Sequence, residues 1–272
     1  MRLPGMLAPL GALLVTLAGC APATSSAPAP APTPPPAAAA PTGPTPQQIA
    51  AMERRLGDWP NLARYREANA ALGDPAPGEN RVVFMGNSIT DAWARSFPAM
   101  FPGKPYVGRG ISGQTTPQML LRFRQDVIEL RPKVAVLLAG TNDIAGNSGP
   151  ITLEEIGRNI ASMAELARAN GIKVVLSSVL PVSDTVPKDG GGYFIRTTAR
   201  PPARILELNR WLRDYAAKNG HIYLDYYSVM ADGNGLAKTG LTYDGLHPNS
   251  TGYNMMTEIA SRAIERALGK GN

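Results

Sequence analysis

From Arg81 onward, short apolar runs alternate with longer stretches whose apolar residues recur every three or four positions, the signature of strands and amphipathic helices in turn. The strand candidates are Arg81–Met85 (RVVFM), Tyr106–Val107, Lys133–Ala139 (KVAVLLA), Ile172–Val179 (IKVVLSSV) and His221–Leu224. The third and fourth are nearly unbroken apolar runs, as parallel strands covered on both faces should be. Between them, Thr116-Pro117 offers an N-cap and N1 pair for a helix reaching Leu130. Thr152 and Glu155 spell a capping box, and Ile156, Ile160, Met163 and Ala167 follow at helical spacing until Gly171 ends the helix. Two further helices are expected over Ala203–Asn219 and along the stripe Tyr253, Met256, Ala260, Ala263, Ala267. Strands alternating with helices predict right-handed crossovers and a three-layer α/β/α domain over residues 81–268, built on a central five-stranded parallel sheet. In such a domain ligands bind beyond the carboxyl ends of the strands. Residues 47–80 are expected to form an outer helical segment broken near Gly57-Asp58-Trp59-Pro60, and Ser183–Pro202 is the longest loop, expected at the rim of the ligand-binding end.

Ahead of the domain the pattern differs. After Met1-Arg2, Met6–Ala18 is an uncharged apolar run of ~13 residues, short of the ~20 needed to span a bilayer and suited to a cleavable export signal. It ends Leu17-Ala18-Gly19-Cys20, which resembles the bacterial lipobox. That resemblance implies a signal peptide over residues 1–19 and a lipid on Cys20. Residues 20–46 are dominated by Ala, Pro, Ser and Thr, a composition that cannot bury a core and extends as a polyproline tether at ~3.1 Å per residue. The chain is thus expected to be exported and membrane-held as an envelope lipoprotein. Ala21 in place of Asp points to the outer membrane where lipoproteins are sorted as in proteobacteria.

Composition removes several alternatives. Cys20 is the one cysteine of the 272 residues, so an intrachain disulfide and a Cys-based zinc site are both ruled out. The net charge of +6 is scattered among acids without a polybasic run, so no nucleic-acid partner is expected. Gly108–Gly113 spells G-x-G-x-x-G, but it follows the second strand candidate rather than the first and lacks the acidic residue about twenty positions on, so no dinucleotide site is expected. No H-E-x-x-H occurs, and neither a metal nor another cofactor is called for. Asp143 and Arg109 are expected in surface salt bridges. Oligomeric state is not legible.

The chemistry-bearing residues gather in four polar clusters: Gly86-Asn87-Ser88, Gly110-Ile111-Ser112-Gly113, Gly140-Thr141-Asn142-Asp143 and Asp244 to Asn249. Ser88 follows a strand through a Gly-Asn turn, which sets its hydroxyl beside the free N–H groups of a helix start. A serine hydroxyl becomes a nucleophile only when a base takes its proton, and histidine is the side chain best matched to that task. The chain has two histidines. His221 opens an apolar strand and reads as structural. His247 lies in a polar loop three residues after Asp244, which is placed to orient the ring through Nδ1.

With Ser88, Gly113, Asn142 and the Asp244–His247 spacing in order, the chain resembles the SGNH (GDSL-type) hydrolases, whose blocks carry Ser, Gly, Asn and His. The likeness covers about residues 81–268 and implies the flavodoxin-like variant of the three-layer fold. It further implies a triad of Ser88, Asp244 and His247, and an oxyanion hole made by the backbone N–H groups of Ser88 and Gly113 with the Asn142 amide. The expected activity is hydrolysis of carboxylic esters, with a short acyl or acetyl group on a small alcohol or glycan, through an acyl-Ser88 intermediate. The family equally admits lysophospholipase and thioesterase chemistry, and a non-catalytic glycan- or partner-binding lipoprotein is the alternative from another class. One position departs: Asn87 stands where the usual first block has Asp, and it is expected to keep a turn-forming hydrogen bond.

Overall fold

The computed structural model describes residues 43–270. The expected signal peptide, the lipidation site Cys20 and most of the tether lie outside them. Helix α1 (Pro46–Gly57) is followed by a 3₁₀ turn at Leu62–Tyr65 and by α2 (Arg66–Leu72). The break falls where Asp58 turns its carboxylate onto the N–H groups of Leu62 (2.7 Å) and Ala63 (2.9 Å), capping the 3₁₀ turn.

Five strands follow, each with its helices: β1 (Val82–Gly86), α3 (Ser88–Ala94) and α4 (Phe97–Met100); β2 (Tyr106–Gly110) and α5 (Thr116–Asp126); β3 (Val134–Leu138), α6 (Thr141–Ile144) and α7 (Leu153–Ala169); β4 (Lys173–Ser177) and α8 (Pro202–Asn219); β5 (Ile222–Leu224), α9 (Tyr227–Met230) and α10 (Ser250–Ala267). All pairings are parallel and the order is β2-β1-β3-β4-β5. The three-layer α/β/α architecture is therefore the one expected. Successive strand residues face opposite layers: Val82, Phe84, Val134 and Val136 pack with Ile89, Trp93 and Met256, whereas Val83, Met85, Ala135 and Leu137 pack with Met119, Phe123, Ile160 and Leu208. Burial on both faces explains why these strands read as unbroken apolar runs. Trp93 anchors the first layer, 5.5 Å edge-on to Phe84 and stacked at 5.8 Å on Tyr253.

Two local expectations shift. Thr115, not Thr116, is the N-cap of α5; Gln118 reaches back to its N–H (3.1 Å), and Pro117 comes one place later than N1. That helix also stops at Asp126, and a 3₁₀ turn at Ile128–Leu130 completes the stretch toward Arg131. Thr116 is drawn out of the capping role because its N–H (2.8 Å) and hydroxyl (2.5 Å) both bond the Asp143 carboxylate.

Since β1 is followed by β2 on one side and β3 lies on its other side, the crossovers from β1 and from β2 run over opposite faces. The helix starts then diverge at the carboxyl end of β1, and a crevice opens there. Ser88, the first residue of α3, stands in it.

Candidate active site

Four segments converge on that crevice. The loop after β1 brings Ser88, the loop after β2 brings Gly113, the turn after β3 brings Asn142, and the loop before α10 brings Asp244 and His247. The last loop is a closed hairpin: Thr242 bridges Pro248, and Tyr243 N–H bonds the His247 carbonyl at 3.1 Å. Although 159 positions separate them in the chain, Ser88 Oγ lies 2.9 Å from His247 Nε2. His247 Nδ1 lies 2.8 Å from Asp244 Oδ2. In such a line a neutral imidazole protonated on Nδ1 can accept the hydroxyl proton at Nε2 while the carboxylate holds the ring and its tautomer.

Asp244 is tightly held. Its Oδ1 accepts the backbone N–H groups of Leu246 (3.0 Å) and His247 (2.8 Å). Burial pushes the carboxyl pKa up, but the hydrogen bonds from the His247 ring and backbone and the nearby imidazole outweigh it, so the pKa sits well below the usual carboxylate range. Arg196, from the long loop after β4, adds a second clamp through Nη2 to Asp244 Oδ2 (2.6 Å) and Nε to the Asp244 carbonyl (2.9 Å). The loop itself is pinned by Asp184, whose carboxylate accepts the Thr197 N–H at 2.9 Å. It is also held by Ser183 N–H on the Gly245 carbonyl at 2.9 Å. At Gly245 φ is +79°, and a Cβ would stand 2.3 Å from the Ser183 carbonyl, so only glycine admits this approach.

The segments that follow β1, β2 and β3 each carry a hydrogen-bond donor to spare. As the first helical residue of α3, Ser88 has no intrahelical acceptor for its N–H. Gly113 sits at φ +81°, and its N–H has no hydrogen-bond partner among the described residues. The Asn142 amide is fixed at both ends, Nδ2 donating to the Gln114 carbonyl at 3.0 Å and Oδ1 accepting from Arg200 at 3.3 Å. One of its two N–H bonds is thereby left for another acceptor. Unsatisfied N–H groups on the segments that follow β1, β2 and β3 are the kind of donor that can stabilise developing negative charge on an oxygen.

Asn87 keeps the expected turn bond, its Oδ1 accepting from Ile89 N–H at 3.0 Å, while its Nδ2 is buried without a partner. Asp143 and Arg109 are not the surface ion pairs expected of them. Asp143 is buried against Thr116, and burial raises its pKa. Arg109 is buried as well, lies 4.8 Å over the Tyr65 ring and donates to Asn69 at 2.7 Å. Arg109, in β2, is covered by Tyr65 and by Asn69 of α2, and Asp143, in α6, lies against the start of α5. His221 precedes β5, at the end of the sheet away from Ser88, and burial lowers its pKa. Arg196, Arg200, Gln114 and Tyr243, which stacks on His247 at 5.6 Å and 13°, were missing from the sequence analysis. The nearest signal was the length of the Ser183–Pro202 loop. Among the described residues, no three His, Cys, Asp or Glu side chains stand close enough to share a metal ion.

A cleft of about 790 Å³ borders Gly113, lined by Ile111, Ser112, Gln114, Asn147 and Ser148 on one side and by Asp58, Trp59 and Asn61 on the other. Ala51 and Ala63 also line it, and its polar and apolar surfaces are of about equal extent.

Residues 77–255 match the GDSL-like Lipase/Acylhydrolase family. Among solved structures, a GDSL-like lipase from Bacteroides thetaiotaomicron VPI-5482 superimposes with a TM-score of 0.70 at 45% identity, covering 77% of this chain and 100% of that one. The esterase TesA of Pseudomonas aeruginosa PAO1 is 28% identical over 127 residues, 45% of this chain and 59% of TesA. YqeF, an uncharacterized lipoprotein of Bacillus subtilis strain 168, is 32% identical over 93 residues, 33% of this chain and 38% of YqeF. The chain thus spans less than two thirds of either of these two relatives.

Proposed function

Because the chain belongs to the GDSL-like lipase/acylhydrolase family, we propose that it is a serine esterase in which Ser88 is the nucleophile, His247 the base and then acid, and Asp244 the group that orients it. The observation that carries this reading is the unbroken line Ser88 Oγ to His247 Nε2 to Asp244 Oδ2, at 2.9 and 2.8 Å. In the first step His247 Nε2 takes the hydroxyl proton as Oγ attacks the ester carbonyl carbon. The carbonyl oxygen becomes an oxyanion facing the Ser88 and Gly113 N–H groups and the free N–H of Asn142. As the tetrahedral species collapses, His247 returns its proton to the departing alcohol oxygen and leaves an acyl-Ser88 ester. Water then enters, gives a proton to His247 and attacks the acyl carbon; Ser88 Oγ departs, recovers that proton and releases the acid. Each fixed donor at the oxyanion is worth roughly 3 kcal/mol of barrier.

The surroundings support a choice of substrate class. The cleft beside Gly113 combines hydroxyls and amides (Ser112, Gln114, Asn147, Ser148) with apolar surface of about equal extent, Trp59 and Ile111 among it, a mixture that suits a short acyl or acetyl group on a polyhydroxy alcohol such as a glycan. A lipid on Cys20, with residues 21–46 as tether, would hold the enzyme at the envelope membrane, and the likeness to the lipoprotein YqeF supports this.

Hydrolysis of p-nitrophenyl esters from acetyl to octanoyl by the folded protein, beside Ser88→Ala, tests the proposal. Wild-type activity is expected to be highest on acetyl and to fall at least a thousandfold in the variant. Residual activity within tenfold of wild type would remove Ser88 from the mechanism. For the anchor, loss of membrane association in Cys20→Ala is expected, and retention would overturn the lipid assignment.

A further inference from the structure

Residues 58–72 lie ahead of the stretch matched by the family, yet they are hydrogen-bonded into the loop that carries Gly113. Three amide side chains, Gln114, Gln118 and Gln125, donate to three backbone carbonyls of this segment: Pro60 (2.7 Å), Trp59 (2.8 Å) and Leu62 (2.7 Å). In return, the Tyr65 hydroxyl donates to the carbonyl of Gly110, three residues before Gly113. Asn69 donates to Asp126 at 2.7 Å and accepts from Arg109 at 2.7 Å.

Two of these partners, Gln114 and Asp126, also bond one fully buried cation. Arg122 donates from Nη1 to Asp126 (3.0 Å), from Nη2 to the carbonyl of Gly86 (3.0 Å) and from Nε to Gln114 Oε1 (2.5 Å). Gly86 is two residues before Ser88. Gln114 follows Gly113 directly, and its own carbonyl receives the Asn142 amide at 3.0 Å. Gln114 therefore has its Oε1 on Arg122, its Nε2 on Pro60 and its backbone carbonyl on Asn142. A guanidinium out of water is costly unless its donors are well matched, and here its three directions are spent on the end of β1, on α5 and on the Gly113 loop.

We propose that residues 58–72 are a positioning element for the oxyanion donors, acting through Gln114 and Arg122 to set the Gly113 N–H and the Asn142 amide relative to Ser88. This rests on the assignment of those donors made above. Oxyanion donors matter only to the transition state and its tetrahedral neighbours. Loosening the brace therefore lowers kcat while leaving the affinity for ground-state ester in place.

The test uses Gln114→Met, which loses both side-chain bonds, Gln114→Glu, which keeps an acceptor for Arg122 but has no donor for Pro60, and Tyr65→Phe, which removes one hydroxyl. For each, kcat and KM on p-nitrophenyl acetate are measured with the inhibition constant of phenylboronic acid, whose serine adduct is tetrahedral. Expected are a kcat lowered at least tenfold in Gln114→Met and at least threefold in Tyr65→Phe, KM within twofold, and boronate affinity reduced in proportion to kcat. Gln114→Glu should fall nearer to Met than to wild type. A lower melting temperature with kcat and boronate affinity unchanged would overturn the proposal, since a purely structural brace gives that result. If Gln114→Met does not fold, Tyr65→Phe decides alone. Asn142→Ala, run in parallel, separates the two ideas: unchanged kcat there refutes the donor assignment itself, whereas a large loss there with unchanged Tyr65→Phe and Gln114 variants refutes only the brace.

Discussion

Asp244→Asn is the substitution whose consequence can be worked most fully from the site. Asp244 Oδ1 accepts two backbone N–H groups, and Oδ2 accepts from both His247 Nδ1 and Arg196 Nη2. An asparagine has one acceptor atom for these four donors. With its oxygen on the backbone, its NH₂ faces the imidazole and the guanidinium, and with its oxygen turned outward the NH₂ meets the backbone N–H groups. The first arrangement drives His247 to the tautomer protonated on Nε2, which cannot take the proton of Ser88. It also leaves the imidazolium formed during attack without its counter-charge. Removing one partner of a largely buried charge pair costs about 3–5 kcal/mol, and at 1.36 kcal/mol per tenfold this lowers kcat roughly 150- to 5,000-fold. The assay is single-turnover and steady-state hydrolysis of p-nitrophenyl acetate, with KM expected within threefold. A kcat within tenfold of wild type would refute the orienting role of Asp244.

The same residue carries a pH signature. Its folded pKa lies below its unfolded value of about 3.9, so the stability that it contributes is fully present above that value and is lost as pH falls through the folded one. The difference in unfolding free energy between wild type and Asp244→Asn should shrink as pH falls below about 4. A gap that widens as pH falls below about 4 would contradict the hydrogen-bond account.

Arg196→Met should lower kcat about tenfold, because Asp244 keeps its backbone bonds but loses the charged clamp; an unchanged kcat would make the clamp incidental. Gly245→Ala places a Cβ 2.3 Å from the Ser183 carbonyl at φ +79°, so it should cost about 2 kcal/mol or more in urea unfolding and reduce activity as the loop shifts. A melting temperature equal to wild type would show that the contact is not needed. Trp93→Ala empties the centre of the aromatic cluster with Phe84, Phe97 and Tyr253 and should cost about 3–5 kcal/mol, whereas a loss below about 1.5 would mean that the layer collapses to fill the space.

The sequence by itself determined the alternation of strands and helices, the helix that begins at the Thr152 capping box, and the four clusters beyond the strand ends. Those features are written in neighbouring residues, through periodicity, capping and turn chemistry. Ser88, Gly113, Asn142, Asp244 and His247 could be proposed from the sequence because each stands in a recognisable local pattern and the five occur in order. Only the tertiary structure decided what surrounds them. Arg196 sits in a loop without periodicity, and its partner Asp244 is 48 positions away. Arg122 lies in α5 with no local pattern to single it out, yet it is fully buried and its charge is satisfied by Gln114, Asp126 and the Gly86 carbonyl. Asp143 and Arg109 were misplaced for the same reason. Whether a polar side chain is solvated or buried depends on what the rest of the chain lays on top of it, and no stretch of neighbouring residues contains that information.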